Sequence, residues 1–338
     1  MVFVRRAGRR TFAYESGLVL RAAAAVVGPK EGQGPLGLDF DVVLPDDLLG
    51  MASWEQAESE MLRRTVELCA SKAGMTVKAV DLMLAGDLQD QITASGFAAR
   101  ALGIPFFGLY GACSTFIESI VLGGALVNAD FAQTAVCGAS SHFCAAERQY
   151  RFPLELGNQR PPSAQWTATA AGAALVTRGE QGLCRLTHGT PGRIVDYQIK
   201  DANHMGAAMA PAVADTLTAH FEDTGRGPDD YDHIVTGDLG NIGRQLLMDL
   251  MAERGMPIRP DRLSDCGASL YAPEQDAHAG GSGCGCIASV LSAHFLPMLS
   301  GPFKRILALG SGAMLSPATT QQGESIPSIS YAVALEAM

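Results

Sequence analysis

The chain carries an internal repeat, and this repeat limits the fold more than any other feature. Asp81–Leu88 and Asp232–Leu239 are apolar stretches that both end in Gly-Asp-Leu, and they lie 151 residues apart. The Gly-x-Pro tripeptides at 103–105 and 255–257 lie 152 residues apart, so the two copies stay in register. A repeat of this length predicts two similar halves, each built from the same series of strands and helices.

Helical patterns precede both copies. The first covers 54–71 and begins after Ser53, which forms a predicted capping box with Gln56 in the first turn. The second covers 205–221 and is closed by Gly225. The halves therefore share helices as well as strands.

The parallel continues beyond the Gly-x-Pro tripeptides. Small-residue turns at 111–114 and 280–283 each begin a further helix, and these helices lead to strands that end at Gly138 and Gly310. The offset has grown to 172 residues, so the second half holds about twenty extra residues, mostly between 262 and 280.

The alternation of strands and helices predicts an α/β fold with mostly parallel sheets and right-handed crossovers. We expect two halves, 1–190 and 191–338, related by a pseudo-twofold axis. The helices beginning near Cys113 and Ser282 are apolar nearly all round, which predicts that they are buried between two sheets. Their N-termini would meet at the seam between the halves, where a ligand is expected to bind.

Composition excludes several classes of protein. The net charge is -10 and the pI about 5.2, so nucleic acid is not an expected partner. The eight cysteines show neither a disulfide framework nor the spacing of a metal site, which predicts a reducing compartment and no bound metal or cofactor. We expect no secretory signal and no transmembrane segment, since every apolar stretch is interrupted before about 18 residues.

Cys113 is the leading candidate for chemistry. It follows an apolar strand through a tight Gly111-Ala112 turn and opens a helix, whose free N–H groups would stabilise a thiolate or a bound carboxylate. A cysteine in an apolar setting is also consistent with a small buried hydrophobic residue.

The stretch Tyr110–Thr115 resembles the nucleophile turn of the thiolase and ketoacyl synthase superfamily. The resemblance implies a thiolase-like duplicated α/β fold, with two pseudo-twofold-related halves, mixed sheets and buried central helices. The resemblance implies that an active condensing enzyme would carry a His at the second-half strand end and a further His or Asn before the second small-residue turn. Gly237 stands at the first position, and His278 lies about one residue from the second. The sequence therefore predicts a protein that is not an enzyme.

A narrower resemblance rests on the long polar segment 138–167, together with 110–115, 203–211 and Gly237–Gly240. These strings resemble the stage V sporulation protein AD (SpoVAD) family. That resemblance implies a peripheral protein on the cytoplasmic face of the forespore or spore inner membrane. It would bind pyridine-2,6-dicarboxylate (dipicolinate), form a homodimer and work with the membrane proteins of the SpoVA system during dipicolinate uptake. Whether calcium accompanies the ligand stays open at this point.

A planar dicarboxylate fits a seam lined by helix N-termini, hydroxyl groups and an arginine. Arg151 and Arg160 are the cationic candidates, and they are equally consistent with solvated surface arginines. The predicted ligand-binding residues are Cys113, Ser114, His142, Arg151, Arg160, Asp238, His278 and Ser282. The alternatives are a thiolase-fold acyltransferase or ketoacyl synthase-like enzyme that uses Cys113, and a structural scaffold for membrane partners.

Overall fold

The computed structural model describes residues 5–15, 17–150 and 160–338. One continuous sheet runs through the molecule, and each half contributes five of its principal strands. In the first half these strands are β1 (Leu18–Val27), β2 (Leu82–Gly86), β3 (Phe106–Gly108), β4 (Thr134–Ser141) and β5 (Ala170–Arg178). In the second half they are β6 (Cys184–Thr190), β7 (His233–Thr236), β8 (Leu263–Asp265), β9 (Arg305–Ala313) and β10 (Ser328–Glu336).

The two halves have the same strand order. It reads β3-β2-β4-β5-β1 in the first half and β8-β7-β9-β10-β6 in the second. The directions also agree: the first three strands of each series pair in parallel, and the last two join antiparallel. The duplication predicted from the sequence repeat is therefore confirmed.

The halves meet where β6 pairs with β1, through Cys184 opposite Leu20 and Arg185 opposite Val19. The pairing of β6 with β10 is longer and extends from Arg185 to Thr190. The strand β6 thus opens the second half. The strand β5 ends at Arg178 and β6 begins at Cys184, and the boundary at 190 stays a prediction.

Helices cover both faces of the sheet. The longer ones are α1 (Trp54–Lys72), α2 (Thr93–Leu102), α3 (Thr115–Asn128), α4 (Phe143–Tyr150), α5 (Met205–Thr224), α6 (Gly240–Glu253), α7 (Cys266–Leu270) and α8 (Cys284–Val290). Residues of α1 and α2 share one core cluster with the first half-sheet, and residues of α5 and α6 share another with the second. A third cluster joins α3 and α8 to strands of both halves.

The central position of α3 follows from its sequence. Glu118 is its only charged residue, and Phe116, Ile117 and Ile120 are fully buried. A helix that is apolar on all sides must be covered on all sides, and each large side chain removed from water contributes roughly 1.5–3 kcal/mol. The prediction that the helices after Cys113 and Ser282 are buried at the centre is confirmed.

The predicted helix ends are also present. The Ser53 hydroxyl accepts a hydrogen bond from the N–H of Gln56 at 3.3 Å, and α1 begins at the next residue, Trp54. The helix α5 ends at Gly225, whose φ of +67° lies in the left-handed region that glycine adopts without strain.

The extra residues of the second half lie mostly after β8, where they form α7 and a 3-10 turn at Pro273–Gln275. They reach back to a short helix of the first half, Pro29–Gly32. There the Tyr271 hydroxyl donates to the Glu31 carboxylate, and Lys30 Nζ donates to the carbonyl of Gln275 at 2.5 Å. The insertion thus ties the two halves together.

Among the residues that the structure describes, no helix is both long and apolar enough to span a bilayer.

Candidate functional site

A cavity of about 960 Å³ lies at the seam between the halves. The first half supplies the turn Gly108–Cys113 to its wall, and the second half supplies 313–317, Ile329 and Tyr331. Ser282, just before α8, also lines it. The cavity therefore lies where the sequence predicted a ligand site.

The turn before α3 holds Cys113 in a constrained backbone. Ala112 has a φ of +52°, which is unusual for a residue with a side chain. The hydroxyl of Ser114 donates to the carbonyl of Gly111 at 2.6 Å, and that of Thr115 donates to the carbonyl of Ala112 at 2.7 Å. These bonds fix the turn against the start of the helix.

A glycine of the second half lets this turn approach closely. A Cβ atom at Gly312 in β9 would lie 2.4 Å from the Gly111 carbonyl oxygen. The close contact requires the absence of a side chain at 312.

Asp238 organises the polar groups behind Cys113. Its carboxylate accepts hydrogen bonds from the Ser282 hydroxyl at 2.9 Å, the N–H of Gly283 at 3.0 Å and the Ser311 hydroxyl at 3.2 Å. The Cys113 sulfur lies 3.9 Å from the Ser282 oxygen. Burial raises the pKa of Asp238 to about 6, although these hydrogen bonds favour its charged form.

Cys113 is buried, and its thiol is held in the protonated form. Burial raises the pKa of the thiol well above its usual value, and the negative charge of Asp238 raises it further. Burial and the neighbouring carboxylate thus act against a thiolate at this helix start, and the binding of a carboxylate there stays a prediction.

Acidic side chains occur on several parts of the cavity wall. They are Asp90, Glu118, Glu147, Asp196 and Glu324. Lys, Arg and His are all absent from the wall as far as the structure describes it. Its described charge is therefore negative, the opposite of what a site for a free dianion requires.

Tyrosines and aliphatic side chains make up much of the remaining wall. The Tyr331 hydroxyl donates to Glu118 Oε1 at 3.2 Å, and the Tyr150 hydroxyl donates to the carbonyl of Leu88 at 2.5 Å. Burial raises the pKa of Glu118. Ile194 and Met314 add apolar surface, so the cavity combines carboxyl groups with flat aromatic and aliphatic contacts.

The structure brings three of the predicted ligand-binding residues together. Cys113 and Ser282 line the cavity, and Asp238 lies directly behind Ser282. Ser114 is buried at the base of the turn, where it bonds to Gly111. Arg151 lies outside the described residues.

The other predicted residues do not reach the cavity wall. His278 bonds through Nδ1 to the carbonyl of Pro161 and through Nε2 to Asp276, both at 2.9 Å. Arg160 also pairs with Asp276, at 2.9 Å, and its guanidinium lies 4.7 Å from the centre of the Trp166 ring. His142 is buried, and its Nε2 lies 2.9 Å from the carbonyl oxygen of Asp47.

Gly237 directly follows β7, and its place at the histidine position of the condensing enzymes stays a prediction. A Cβ atom there would point toward Ile287, 3.4 Å from its Cδ1 atom. The nearest groups beyond this position are thus a leucine carbonyl and an isoleucine side chain.

Sequence reasoning missed the acidic wall. Glu118 gave the one local signal, because it is a lone charged residue in an otherwise apolar helix. Asp196, Glu324 and Tyr331 gave none, since they come from separate segments that only the fold brings to the cavity.

Comparison with known proteins is consistent with this architecture. The family model described as "Stage V sporulation protein AD (SpoVAD)" matches residues 8–336. The protein named "Stage V sporulation protein AD" from Bacillus subtilis (strain 168) is 40% identical over 330 residues, which cover 97% of each chain.

Solved structures share the fold at low sequence identity. OleA from Xanthomonas campestris, bound to cerulenin, is 14% identical with a TM-score of 0.64, over 99% of this chain and 100% of that one. Human mitochondrial 3-ketoacyl-CoA thiolase with CoA is 13% identical with a TM-score of 0.61, over 95% and 98%. The Aquifex aeolicus VF5 3-oxoacyl-[acyl-carrier-protein] synthase III is 11% identical with a TM-score of 0.59, over 95% and 100%. At these identities the likeness shows the thiolase-like fold alone.

Proposed function

Because this chain belongs to the stage V sporulation protein AD family, we propose that it serves sporulation as a non-enzymatic binding protein for dipicolinate. The observation that carries the proposal is the seam cavity of about 960 Å³, which combines carboxyl and hydroxyl groups with a largely apolar wall. Burial raises the pKa of the Cys113 thiol on this wall. A cavity of several hundred cubic ångströms with a few polar groups is typical of a small-molecule site.

The charge of the wall favours one form of the ligand. Free dipicolinate carries two negative charges and would meet the carboxylates of Asp90, Asp196 and Glu324. In a 1:1 calcium chelate the ring nitrogen and two carboxylate oxygens hold the metal, and the charge is neutralised. Calcium takes about 6–8 oxygen-type ligands, so wall carboxylates can complete its coordination sphere. We therefore propose that the ligand enters as its calcium chelate.

Calorimetry tests this proposal on the purified protein. We expect the calcium chelate to bind at least about tenfold more tightly than dipicolinate titrated in the presence of a calcium chelator, because the free dianion is repelled. Benzene-1,3-dicarboxylate lacks the ring nitrogen and serves as the control ligand, which we expect not to bind. Absence of heat with either form, or equal affinity for both, would overturn the proposal.

The variant Glu118→Gln tests whether a carboxyl group of the cavity wall contributes to ligand affinity. Loss of this carboxyl group should weaken binding of the chelate by about tenfold, the effect of one lost contact to a charged group. Glu253→Gln, on the exposed end of α6 and away from the cavity, is the matched control and should bind like the wild type. Arg160→Ala should also leave affinity unchanged, because Arg160 is paired with Asp276. The contribution of Arg151 stays a prediction from sequence.

The alternative function, an acyltransferase that uses Cys113, has one feature in its favour: the strained turn at Ala112. Against it stand the raised pKa of the thiol and the glycine at 237. Without a histidine at position 237, the thiol lacks one acid–base group of a kind that contributes roughly 10²–10⁴ in rate.

We therefore expect iodoacetamide at neutral pH to label Cys113 more slowly than a free cysteine peptide, with no acyl adduct from acetyl-CoA. Mass spectrometry of the labelled peptide checks both. Acyl-CoA turnover that disappears in Cys113→Ala would favour the enzyme instead.

The family membership also supports a proposal about the oligomeric state, location and partners of the protein. We propose that it works as a homodimer at the cytoplasmic face of the forespore or spore inner membrane, with membrane proteins of the SpoVA system. The eight cysteines are all free, which supports a protein that works in a reducing compartment. Light scattering tests the dimer, and fractionation of sporulating cells tests the location.

A further inference from the structure

The segment 35–50, which we call the acidic-apolar segment, has an unusual composition. It contains four aspartates, no Lys or Arg, and eight large hydrophobic residues. It plays no part in the cavity wall. A surface segment of this kind needs another explanation.

The acidic-apolar segment is held firmly to the first half. Phe40 and Leu44 are buried, and the Asp41 carboxylate accepts the N–H of Ala25 at 2.9 Å. The pair Val42–Val43 forms a short strand beside Val26 and Val27 of β1. Its outward side chains are therefore presented on a fixed backbone.

Four large hydrophobic residues of the segment point outward. Leu38 is 101% exposed, and Val42, Val43 and Leu48 are exposed by 40%, 42% and 41%. Exposed apolar side chains grouped on an ordered segment are typical of a surface that binds a partner.

The charge of the acidic-apolar segment indicates which kind of partner it binds. Asp41 pairs with Lys72 at 2.7 Å, and Asp39 lies 2.7 Å from His294. Asp46 and Asp47 have no Lys or Arg within ion-pair distance anywhere in the described ranges. The surface is thus apolar and negative, which complements an apolar segment that carries Lys or Arg.

We propose that the acidic-apolar segment binds a Lys- and Arg-rich cytoplasmic loop of an integral membrane protein. Cytoplasmic loops near membrane spans carry an excess of these two residues and are flanked by apolar sequence. Anionic lipid headgroups would be repelled by the aspartates, so the segment fits a membrane protein rather than the lipid surface. This inference rests on the proposed location of the protein at a membrane. It adds which surface of the protein makes the contact and which residue types the partner supplies.

Inverted membrane vesicles from sporulating cells provide the probe, because they expose the cytoplasmic face. The purified protein should cosediment with them, and binding should weaken as salt is raised. Trypsin treatment of the vesicles, which cuts after Lys and Arg, should abolish binding. Protein-free phosphatidylglycerol vesicles should not bind the protein.

Leu38→Glu should reduce cosedimentation by at least about tenfold, since it places a charge at the most exposed apolar side chain. Leu38→Ser gives a second variant without added charge and should show a smaller loss. Phe131→Glu, at a side chain that is 81% exposed elsewhere on the surface, should bind like the wild type. Circular dichroism on each variant verifies the fold, and dipicolinate calorimetry reports the proposed ligand function separately.

Two results would overturn the inference: undiminished cosedimentation of both Leu38 variants, or binding that survives trypsin and occurs equally on phosphatidylglycerol vesicles. Retained membrane binding without any dipicolinate binding would contradict the proposed ligand and leave this surface standing.

Discussion

Asp87 and Asp238 occupy equivalent strand ends in the two halves, yet their carboxylates bond to different parts of the molecule. Asp87 accepts the N–H groups of Gln89 and Ser95, both at 2.8 Å, and so holds its own loop and the start of α2. Asp238 bonds instead to groups around Ser282 that lie next to Cys113 at the seam. The aspartate of the Gly-Asp-Leu motif therefore stabilises a nearby loop in the first half and the contact between the halves in the second.

A second aspartate of the second half accompanies this difference. Asp265, at the end of β8, accepts the N–H groups of Leu239 and Gly240, both at 2.9 Å. It therefore does for the second half what Asp87 does for the first, and Asp238 is left to organise the seam. The second half thus carries an aspartate at the strand end where the first half has Gly108.

The starts of the two central helices show a second contrast. Ala112 precedes Cys113 with a φ of +52°, and Gly283 precedes Cys284 with a φ of +102°. Only the second conformation is confined to glycine. The turn at the cavity therefore carries modest strain, whereas its counterpart avoids strain by having no side chain.

The largest expected effect comes from Asp238→Ala. It leaves three buried donors without an acceptor, and we expect a loss of about 3 kcal/mol in the free energy of unfolding by urea denaturation. Hydrogen exchange should speed up on both sides of the seam. In Asp87→Ala, with two orphaned N–H groups, faster exchange should stay near 87–95. Identical hydrogen-exchange patterns in the two variants would contradict the different roles assigned to the two aspartates.

A smaller effect concerns Glu31, the first-half partner of the insertion. Burial raises its pKa to about 7, with hydrogen bonds from Tyr271 and Thr169 opposing the shift. A carboxyl group with a raised native pKa lowers stability as the pH rises from its unfolded value, near 4.5, through about 7.

In Glu31→Gln this loss is absent. Relative to the wild type, we expect the variant to gain roughly 2–3 kcal/mol between pH 5 and pH 8 in urea denaturation. A constant difference between the two proteins across this range would show that Glu31 does not titrate there.

The smallest effects separate the two helix starts. Gly283→Ala should destabilise by about 2 kcal/mol, because φ is unfavourable and the new Cβ would lie 2.7 Å from the Ser141 hydroxyl oxygen. Ala112→Gly relieves backbone strain in the folded state but raises the conformational entropy of the unfolded chain. The free energy of unfolding should therefore change by no more than about 0.5 kcal/mol. Thermal unfolding of both variants measures the difference, and equal shifts would contradict it.

Much of the fold could be predicted from the sequence because it is encoded in local patterns. The repeated Gly-Asp-Leu ends, the capping residue Ser53 and the apolar helix after Cys113 each report on a few neighbouring residues. The halves, the central helices and the position of the cavity follow from these patterns together with the packing rules for α/β proteins.

The residues of the site could be predicted less well. Histidine and arginine suggested binding by their chemistry, yet His278 and Arg160 are both engaged with Asp276. Their positions relative to the cavity depend on how the long segment folds back on the insertion, and no local pattern reports that.

By itself, then, the sequence determined the duplication, the family and the turn that carries Cys113. The tertiary structure alone decided that Asp238 supports the seam, that the thiol of Cys113 is neutral and that carboxyl groups line the cavity. Glu118 and Tyr331 meet there although 213 residues separate them. Burial and charge at such a place arise from the approach of distant segments, which set the local dielectric and the neighbouring charges. Periodicity along the chain records which side chains face inward, and it does not record which of them meet.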